Sequence, residues 1–307
     1  MLPSTAKGGH GRWTGRLDGS GELSLDGDLK DGGVVEELLT EGEFGFYAPT
    51  EKIRFLRFLV ALGLSRGKLT KWIRKGWLDL HGPIVDAEVR GVRYRFDLRD
   101  NVTDSKVLLS SREYDRREIQ ALTETAGGRT FVDVGANTGY YTLSLLERGA
   151  AQVIAMEPNP PTLERLLFNL KINKVSDRVT VIEEGVGPEG ELEFFQTAAL
   201  GSASFVKPGE DSPSIRVRTR PILAMLIEAG VETVGSLKID VEGFEDRALI
   251  PFLQNAPERL LPETVVMEVC NSSNWALDPM ELFTLKGYRL LQETRGNLIL
   301  RRDAARQ

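Results

Sequence analysis

From residue 130 onward, short apolar runs of strand length alternate with longer segments in which apolar residues recur every three or four positions. The short runs predict buried strands, and the longer segments predict amphipathic helices. The predicted strands are 130–135, 151–158, 178–185, 236–243 and 263–270. Repeated strand–helix units indicate a mostly parallel sheet with helices on both faces.

Other segments alternate polar and apolar residues. Residues 84–98, around Gly91, and 288–302 have the pattern of antiparallel hairpins. The segments 190–195 and 215–220 predict two extra strands. Residues 101–125 indicate a loop and then a helix that ends near the two glycines at 127 and 128.

The first 82 residues lack this pattern. Residues 1–50 hold 11 glycines and are acidic, which predicts a mobile arm or a few weak strands. Residues 51–82 combine many cations with apolar residues at helical spacing, which predicts a basic helical segment. Its 51–80 part either faces water with its cations or makes peripheral contact with anionic lipid or a polyanionic substrate. We therefore place the main domain at 83–307, with a strand-and-helix lead-in to about residue 128.

Composition narrows the classes of function. The chain has 307 residues and a net charge of −6, so no overall basic field favours nucleic acid, and we predict no nucleic-acid partner. A single cysteine, Cys270, excludes an internal disulfide and a thiolate zinc cluster. No apolar run approaches the ~20 residues that span a bilayer. Without a secretory signal either, the sequence predicts no transmembrane segment and a cytoplasmic location.

Candidate chemistry begins in the stretch FVDVGANTGYYTL, residues 131–143. Gly135 lets the chain turn sharply after the strand and leaves room for a ligand against the backbone. The helix that follows presents free N–H groups and a partial positive charge. Taken alone, this loop is weak evidence, because other strand-to-helix corners look similar.

Two acids make the loop more specific. Asp133, two residues before Gly135, can face an ammonium group, and Glu157, at the end of the next strand, can accept hydrogen bonds from both hydroxyls of a ribose. An NAD-binding loop would show G-x-G-x-x-G, whereas this loop is G-x-N-x-G. An aspartate facing an ammonium group suits S-adenosylmethionine better than a pyrophosphate. Glu183 and Glu184 end the third strand, where an adenine edge would lie, but adjacent acids are equally typical of a surface.

A second motif, LKIDVEG, lies at 237–243. Strand alternation predicts that Lys238, Asp240 and Glu242 share one side of the sheet, beside the donor site. Such charges are costly to bury unless they pair. Both a structural ion pair and a catalytic cluster are consistent with this pattern.

Together FVDVGANTGYYTL, MEPNP, LKIDVEGFE and VVMEV resemble the FkbM family of S-adenosylmethionine-dependent methyltransferases, from about residue 95 to 295. The resemblance implies a class I (Rossmann-like) methyltransferase fold, with a mostly parallel seven-stranded sheet and here an N-terminal extension. It also implies O-methylation of a hydroxyl on a sugar, glycolipid or natural product. The residues that it implies for donor binding are Asp133, Gly135, Asn137, Gly139 and Glu157, and we add Asn159, Glu183 and Glu184.

The expected reaction is methyl transfer to a hydroxyl of a small-molecule or carbohydrate acceptor. Asp240 or Glu242 would accept the hydroxyl proton, Lys238 would favour the developing oxyanion, and Glu268 is a further candidate base. Asp240, Glu242 and Glu268 could also hold Mg²⁺ through oxygen ligands, although we predict no metal. Two alternatives stay open: a non-catalytic S-adenosylmethionine-binding module, and a nicotinamide-dependent oxidoreductase.

Overall fold

The computed structural model describes residues 16–17, 23–24, 42–51, 54–55, 58, 75–78, 82–110, 112–197, 203–207, 209 and 212–303. The chain divides into two compact units, Met1–Leu38 and Leu39–Gln307. In the first unit, Arg16–Leu17 (β1) and Leu23–Ser24 (β2) form a short antiparallel ladder. The predicted arm at 1–50 and helical segment at 51–82 lie largely outside the described residues, so these domain boundaries stay predictions.

The second unit contains the strands and helices that the sequence patterns predict. Its strands are β3 Ile84–Val89, β4 Val92–Asp97, β5 Thr130–Val134, β6 Gln152–Met156, β7 Val179–Ile182, β8 Gly185–Val186, β9 Gly190–Phe195, β10 Ser214–Arg220, β11 Val234–Ile239, β12 Thr264–Glu268, β13 Tyr288–Glu293 and β14 Asn297–Arg302. Its longer helices are α1 Val102–Leu109, α2 Arg116–Ala126, α3 Tyr140–Glu147, α4 Pro160–Asn173, α5 Ile222–Glu228, α6 Glu245–Asn255 and α7 Met280–Leu285. Short 3₁₀ turns lie at Ser176–Arg178, Glu258–Leu260 and Ser272–Asn274.

Seven strands form the main sheet, in the order β13-β14-β12-β11-β5-β6-β7. The pairs β7–β6, β6–β5, β5–β11 and β11–β12 are parallel, and β14 runs antiparallel to both of its neighbours. The mostly parallel seven-stranded sheet that we predicted is confirmed, and it has the class I methyltransferase fold.

Alternate residues of the central strands enter two different cores. Phe131 of β5 packs with side chains of α2, α3 and α4 on one face of the sheet. Val132 and Val134 of the same strand pack with α5 and α6 on the other face. These side chains are fully buried, which is why the sequence of β5 is apolar on both sides rather than alternating.

Smaller elements flank this sheet. The hairpin β3–β4 turns at Arg90 and Gly91, as predicted, and packs on α4 and α3. The two extra strands also form: β10 pairs antiparallel with β9 and parallel with β8. In the part of the chain that the structure describes, no helix is both long and apolar enough to cross a membrane.

The topology brings three loops to one edge of the sheet. β5, β6 and β11 are parallel neighbours, so their carboxyl ends meet, and ligands bind at that edge in open α/β sheets. β11 ends at Ile239, however, so Asp240 and Glu242 follow the strand. Strand alternation was predicted to place them beside Lys238, but alternation does not extend beyond the end of the strand. The geometry of the loop after β11 decides where they point.

Candidate functional site

The loop after β5 is held close to the loop after β11. Gly135 has a φ of +76°, and a Cβ there would lie 2.0 Å from the carbonyl oxygen of Asp240. Asp240 N also donates to the carbonyl oxygen of Val134 at 3.0 Å, which fixes the two backbones together. Only glycine fits this position, because it alone has no Cβ and accepts the left-handed conformation without strain. The glycine turn therefore sets the spacing between the two predicted motifs.

Glu157 connects the donor loop to the end of β6. One carboxylate oxygen accepts from the backbone N–H of Asn137 at 2.8 Å, and the other accepts from that of Asn159 at 3.0 Å. Burial raises the pKa of Glu157 to about 7. Asn137 has a φ of +52°, a left-handed conformation that asparagine tolerates better than most residues. Glu157 thus shapes the loop and also lies on the wall of the cavity beside it.

A cavity opens at the carboxyl edge of the sheet. Among the described residues, those of its lining that lie in or next to the donor loop and the strands beyond it are Gly135, Ala136, Asn137, Met156, Glu157, Pro158, Glu184, Val186 and Phe205. The lining also includes Thr103, Tyr114, Asp115, Tyr141, Lys238, Asp240 and Glu242. One cavity therefore contains residues of both motifs that the sequence singled out.

Four residues predicted for donor binding are not among those that line the cavity: Asp133, Gly139, Asn159 and Glu183. Asp133 is fully buried, and one of its oxygens accepts from the Thr142 hydroxyl at 2.6 Å. Its other oxygen has no hydrogen-bond partner among the described residues, and burial raises its pKa. Gly139 is the N-cap of α3 and has a φ of +93°. The role of these four residues in donor binding stays a prediction.

Lys238 and Asp240 form a partly buried ion pair on the cavity wall. Lys238 Nζ lies 3.1 Å from a carboxylate oxygen of Asp240 and 5.1 Å from the centre of the Tyr141 ring. Burial alone lowers the pKa of Lys238, but the charges of Asp240 and Asp133 outweigh it, and the pKa is raised. Lys238 therefore carries its positive charge at neutral pH, held between an acid and an aromatic face.

Glu242 differs from Asp240 in its environment. It has a φ of +54°, and one of its oxygens accepts from the Asn271 side chain at 2.7 Å. Burial, followed by the nearby charges of Asp240 and Glu268, raises the pKa of Glu242 to about 8. At neutral pH its carboxyl group is thus mostly protonated.

Glu245 was not among the residues predicted from the sequence, but it organises the loop after β11. Its two oxygens accept from the backbone N–H groups of Val241 at 3.0 Å and Gly243 at 3.1 Å, and from Trp275 Nε1 at 2.8 Å. An acid in the first turn of a helix is a recognisable signal for such N–H contacts. Its place in the first turn of α6 could therefore have identified Glu245.

Glu268 lies near this loop at the end of β12. One of its oxygens accepts from the backbone N–H of Cys270, and the other has no partner among the described residues. Burial raises its pKa. Carboxylate oxygens of Asp240, Glu245 and Glu268 come within 4.8 Å of one another. The sequence had predicted Glu242, rather than Glu245, as the third acid of this group.

A further part of the cavity comes from the lead-in before β5. Thr103, Tyr114 and Asp115 line it, and the hydroxyl of Tyr141 donates to Asp115 at 2.8 Å. Burial raises the pKa of Asp115. No motif marked these residues, since their position depends on how the lead-in packs against α3.

The chain is similar in sequence to one family model and to several curated proteins. The model of the methyltransferase FkbM domain matches residues 133–290, just over half of the chain. The rat tRNA wybutosine-synthesizing protein 2 homolog is 26% identical over 174 residues, which cover 54% of this chain and 34% of that protein. The tRNA(Phe) (4-demethylwyosine(37)-C(7)) aminocarboxypropyltransferase of Pyrococcus horikoshii is 22% identical over 172 residues, which cover 56% of this chain and 50% of that protein. The chain thus spans half or less of these two relatives.

Among solved structures, the METTL16 MTase domain aligns with a TM-score of 0.44 at 13% identity, covering 93% of this chain and 84% of that domain. The curated relatives correct one prediction. We expected no nucleic-acid partner, and this is wrong, because both relatives are by name tRNA-modifying proteins. The net charge of a whole chain averages over its surface, so it does not exclude a local site for nucleic acid.

Proposed function

We propose that this chain, which belongs to the FkbM methyltransferase family, transfers the methyl group of S-adenosylmethionine to a hydroxyl oxygen of a small molecule or glycan. The observation that carries the proposal is the Lys238–Asp240 pair, 3.1 Å apart, on the wall of the cavity that the donor loop also lines. Such a pair supplies a base and a positive charge where a hydroxyl must lose its proton.

The residues on the donor side fit S-adenosylmethionine. Gly135 contributes its backbone to the cavity lining, and Glu157 presents a carboxyl group there for ribose hydroxyls. The cavity wall carries Lys238 and five acidic residues, which are Asp115, Glu157, Glu184, Asp240 and Glu242. The oxygens of acidic side chains can accept hydrogen bonds from the ammonium group and the hydroxyls of the donor. When bound, S-adenosylmethionine supplies a methyl group already activated on a sulfonium.

Asp240 is the better base of the two carboxyl groups next to Lys238. The side chain of Asp240 is 35% exposed, so an acceptor can reach it, and it lies 3.1 Å from the ammonium group of Lys238. Glu242, with a pKa raised to about 8 by burial, holds a proton at neutral pH. In this assignment Asp240 takes the hydroxyl proton, Lys238 stabilises the oxyanion that develops, and Glu242 donates a hydrogen bond.

The Lys238–Asp240 pair on the cavity wall also supports a hydroxyl-bearing acceptor, since such an acceptor must lose a proton there. A second candidate is an RNA acceptor, which the names of the two tRNA-modifying relatives favour. The two candidates differ in a direct assay. Purified protein with methyl-labelled donor is offered nucleotide sugars, lipid-linked glycans, small hydroxylated metabolites and unmodified tRNA, and the labelled product is identified.

Donor binding is tested separately, by calorimetry with S-adenosylhomocysteine and with NAD. Binding of S-adenosylhomocysteine without NAD binding is the expected result, and the reverse would favour an oxidoreductase. If S-adenosylhomocysteine binds but none of the acceptor classes becomes labelled, the result favours a non-catalytic donor-binding module.

The base assignment is tested with Asp240→Asn, which keeps the shape of the side chain and removes its basicity. We expect turnover to be lost while S-adenosylhomocysteine still binds. Asp303→Asn is the matched control, because it removes an exposed ion pair with Arg289 (3.0 Å) that is not on the cavity wall. Full activity of Asp240→Asn would refute the assignment of Asp240 as the base.

A further inference from the structure

The start of α1 contacts the donor loop, although α1 lies outside the residues that the family model matches. Asn101 Nδ2 donates to Asn137 Oδ1 at 2.7 Å. The hydroxyl of Thr138 donates to a carboxylate oxygen of Asp104 at 2.8 Å. Two consecutive loop residues are thus each held by a side chain that precedes the matched range by about thirty residues.

These contacts are buried and their other ends are fixed. Asn101, Asp104 and Thr138 are each 2% exposed or less. Asn101 Oδ1 caps α1 by accepting from the backbone N–H of Asp104 at 3.2 Å. The second oxygen of Asp104 accepts from the backbone N–H of Asp97, at the end of β4, at 2.9 Å. Both side chains therefore approach the loop from fixed positions, with little rotamer freedom left.

The loop needs such support at one residue in particular. Asn137 adopts a φ of +52°, which costs a non-glycine residue free energy that the surroundings must offset. Its side-chain oxygen accepts from Asn101 and also from the backbone N–H of Thr138 at 2.8 Å. In this conformation its own backbone N–H points to Glu157, which accepts at 2.8 Å. The contact from α1 is thus connected, through one residue, to the carboxylate assigned to the ribose.

We propose that Asn101 and Asp104 are positioning residues for donor binding, which hold the loop 135–139 in the conformation that presents Glu157 and bare backbone to S-adenosylmethionine. The inference rests on the donor-binding part of the proposed function. It adds that the lead-in is part of the donor site.

The test compares the affinity of full-length variants for S-adenosylhomocysteine by calorimetry, with thermal unfolding measured in parallel. Asn101→Ala removes one contact, and Thr138→Val removes the other while keeping the shape of the side chain. We expect each variant to bind about tenfold more weakly, which corresponds to about 1.4 kcal/mol. Thr138→Ser keeps the hydroxyl and should recover most of the affinity.

Asn173→Ala is the matched control. Asn173, at the end of α4, contacts the β3–β4 hairpin, whose strand β4 also contains Asp97. It accepts a hydrogen bond from the backbone N–H of Arg93 at 2.9 Å and donates one to the carbonyl oxygen of Arg93 at 2.7 Å. These bonds do not involve the donor loop. This variant should unfold at a lower temperature and keep its affinity for S-adenosylhomocysteine.

Three results would overturn the inference: affinities within twofold of the wild type for both Asn101→Ala and Thr138→Val, equal weakening by Thr138→Ser and Thr138→Val, or equal weakening by Asn173→Ala. If one variant does not fold, the other decides. Failure of the wild-type protein to bind S-adenosylhomocysteine would instead refute the proposed function.

Discussion

Gly135→Ala tests the closest backbone approach in the site. The new Cβ would lie 2.0 Å from the carbonyl oxygen of Asp240, where ordinary contact begins at 3.4 Å. The obstacle is a backbone atom rather than a flexible side chain. The backbone N–H of Asp240 also donates a hydrogen bond to the carbonyl oxygen of Val134, at the end of β5, at 3.0 Å. Relief of the overlap therefore requires β5 and β11 to separate at their ends.

The cost has three parts. A non-glycine residue in the left-handed region costs about 1–2 kcal/mol. Overpacking costs about 1–3 kcal/mol, and a weakened backbone hydrogen bond costs about 1 kcal/mol. Together they predict a loss of about 3–6 kcal/mol in the free energy of unfolding. The shift of Asp240 should also disturb its pairing with Lys238.

Gly149→Ala isolates the backbone term. Gly149 also has a positive φ, +97°, but a Cβ there meets nothing within 4 Å. This control should cost only about 1–2 kcal/mol. Urea unfolding gives both free energies, and calorimetry gives the affinity for S-adenosylhomocysteine, which should fall in Gly135→Ala alone. Equal destabilisation of the two variants would refute the close approach of the two loops.

Two further predictions concern the buried acids. Glu157→Gln replaces one of the two acceptor oxygens by an amide donor that faces a backbone N–H, so the affinity for S-adenosylhomocysteine should fall about tenfold. Glu164 is exposed, and Glu164→Gln should leave this affinity unchanged. Equal affinities for the two variants would contradict the role of Glu157. Burial raises the pKa of Glu242 from 4.5 to about 8, so the stability that its proton contributes is present below about pH 4.5 and is lost as the pH rises to about 8. The melting temperature of Glu242→Gln should therefore fall less steeply than that of the wild type between pH 5 and 8.5, and identical slopes would contradict the raised pKa.

Much of the donor side could be predicted from the sequence, because its requirements are local in the chain. The apolar runs located β5, β6 and β11 to within a few residues, since strands buried on both faces leave little room for polar residues. Gly135 was recognisable because a sharp turn after a buried strand needs a residue without a Cβ. Glu157 was recognisable from its place just after β6.

The loop after β11 could not be predicted in the same way. Strand alternation predicted that Lys238, Asp240 and Glu242 lie together, and all three do line one cavity. The strand nevertheless ends before the last two residues. Their directions depend on the left-handed Glu242 and on Glu245, which accepts from backbone N–H groups of the loop. These are tertiary constraints, and alternation does not contain them.

The family match covers most of the cavity lining but not all of it. The lining residues from Gly135 to Glu242 lie within 133–290, whereas Thr103, Tyr114 and Asp115 precede that range. These three side chains line the same cavity as the Lys238–Asp240 pair, where an acceptor must lie to reach Asp240. Among the described residues, Thr103 and Tyr114 make no hydrogen bond to the donor loop 135–139, in contrast to the side chains at the start of α1 that hold it. They can therefore differ between family members that share a donor. We therefore expect substitutions at Thr103 and Tyr114 to change which acceptors are methylated while affinity for S-adenosylhomocysteine stays the same, and a loss of donor affinity in both variants would contradict this division of the site.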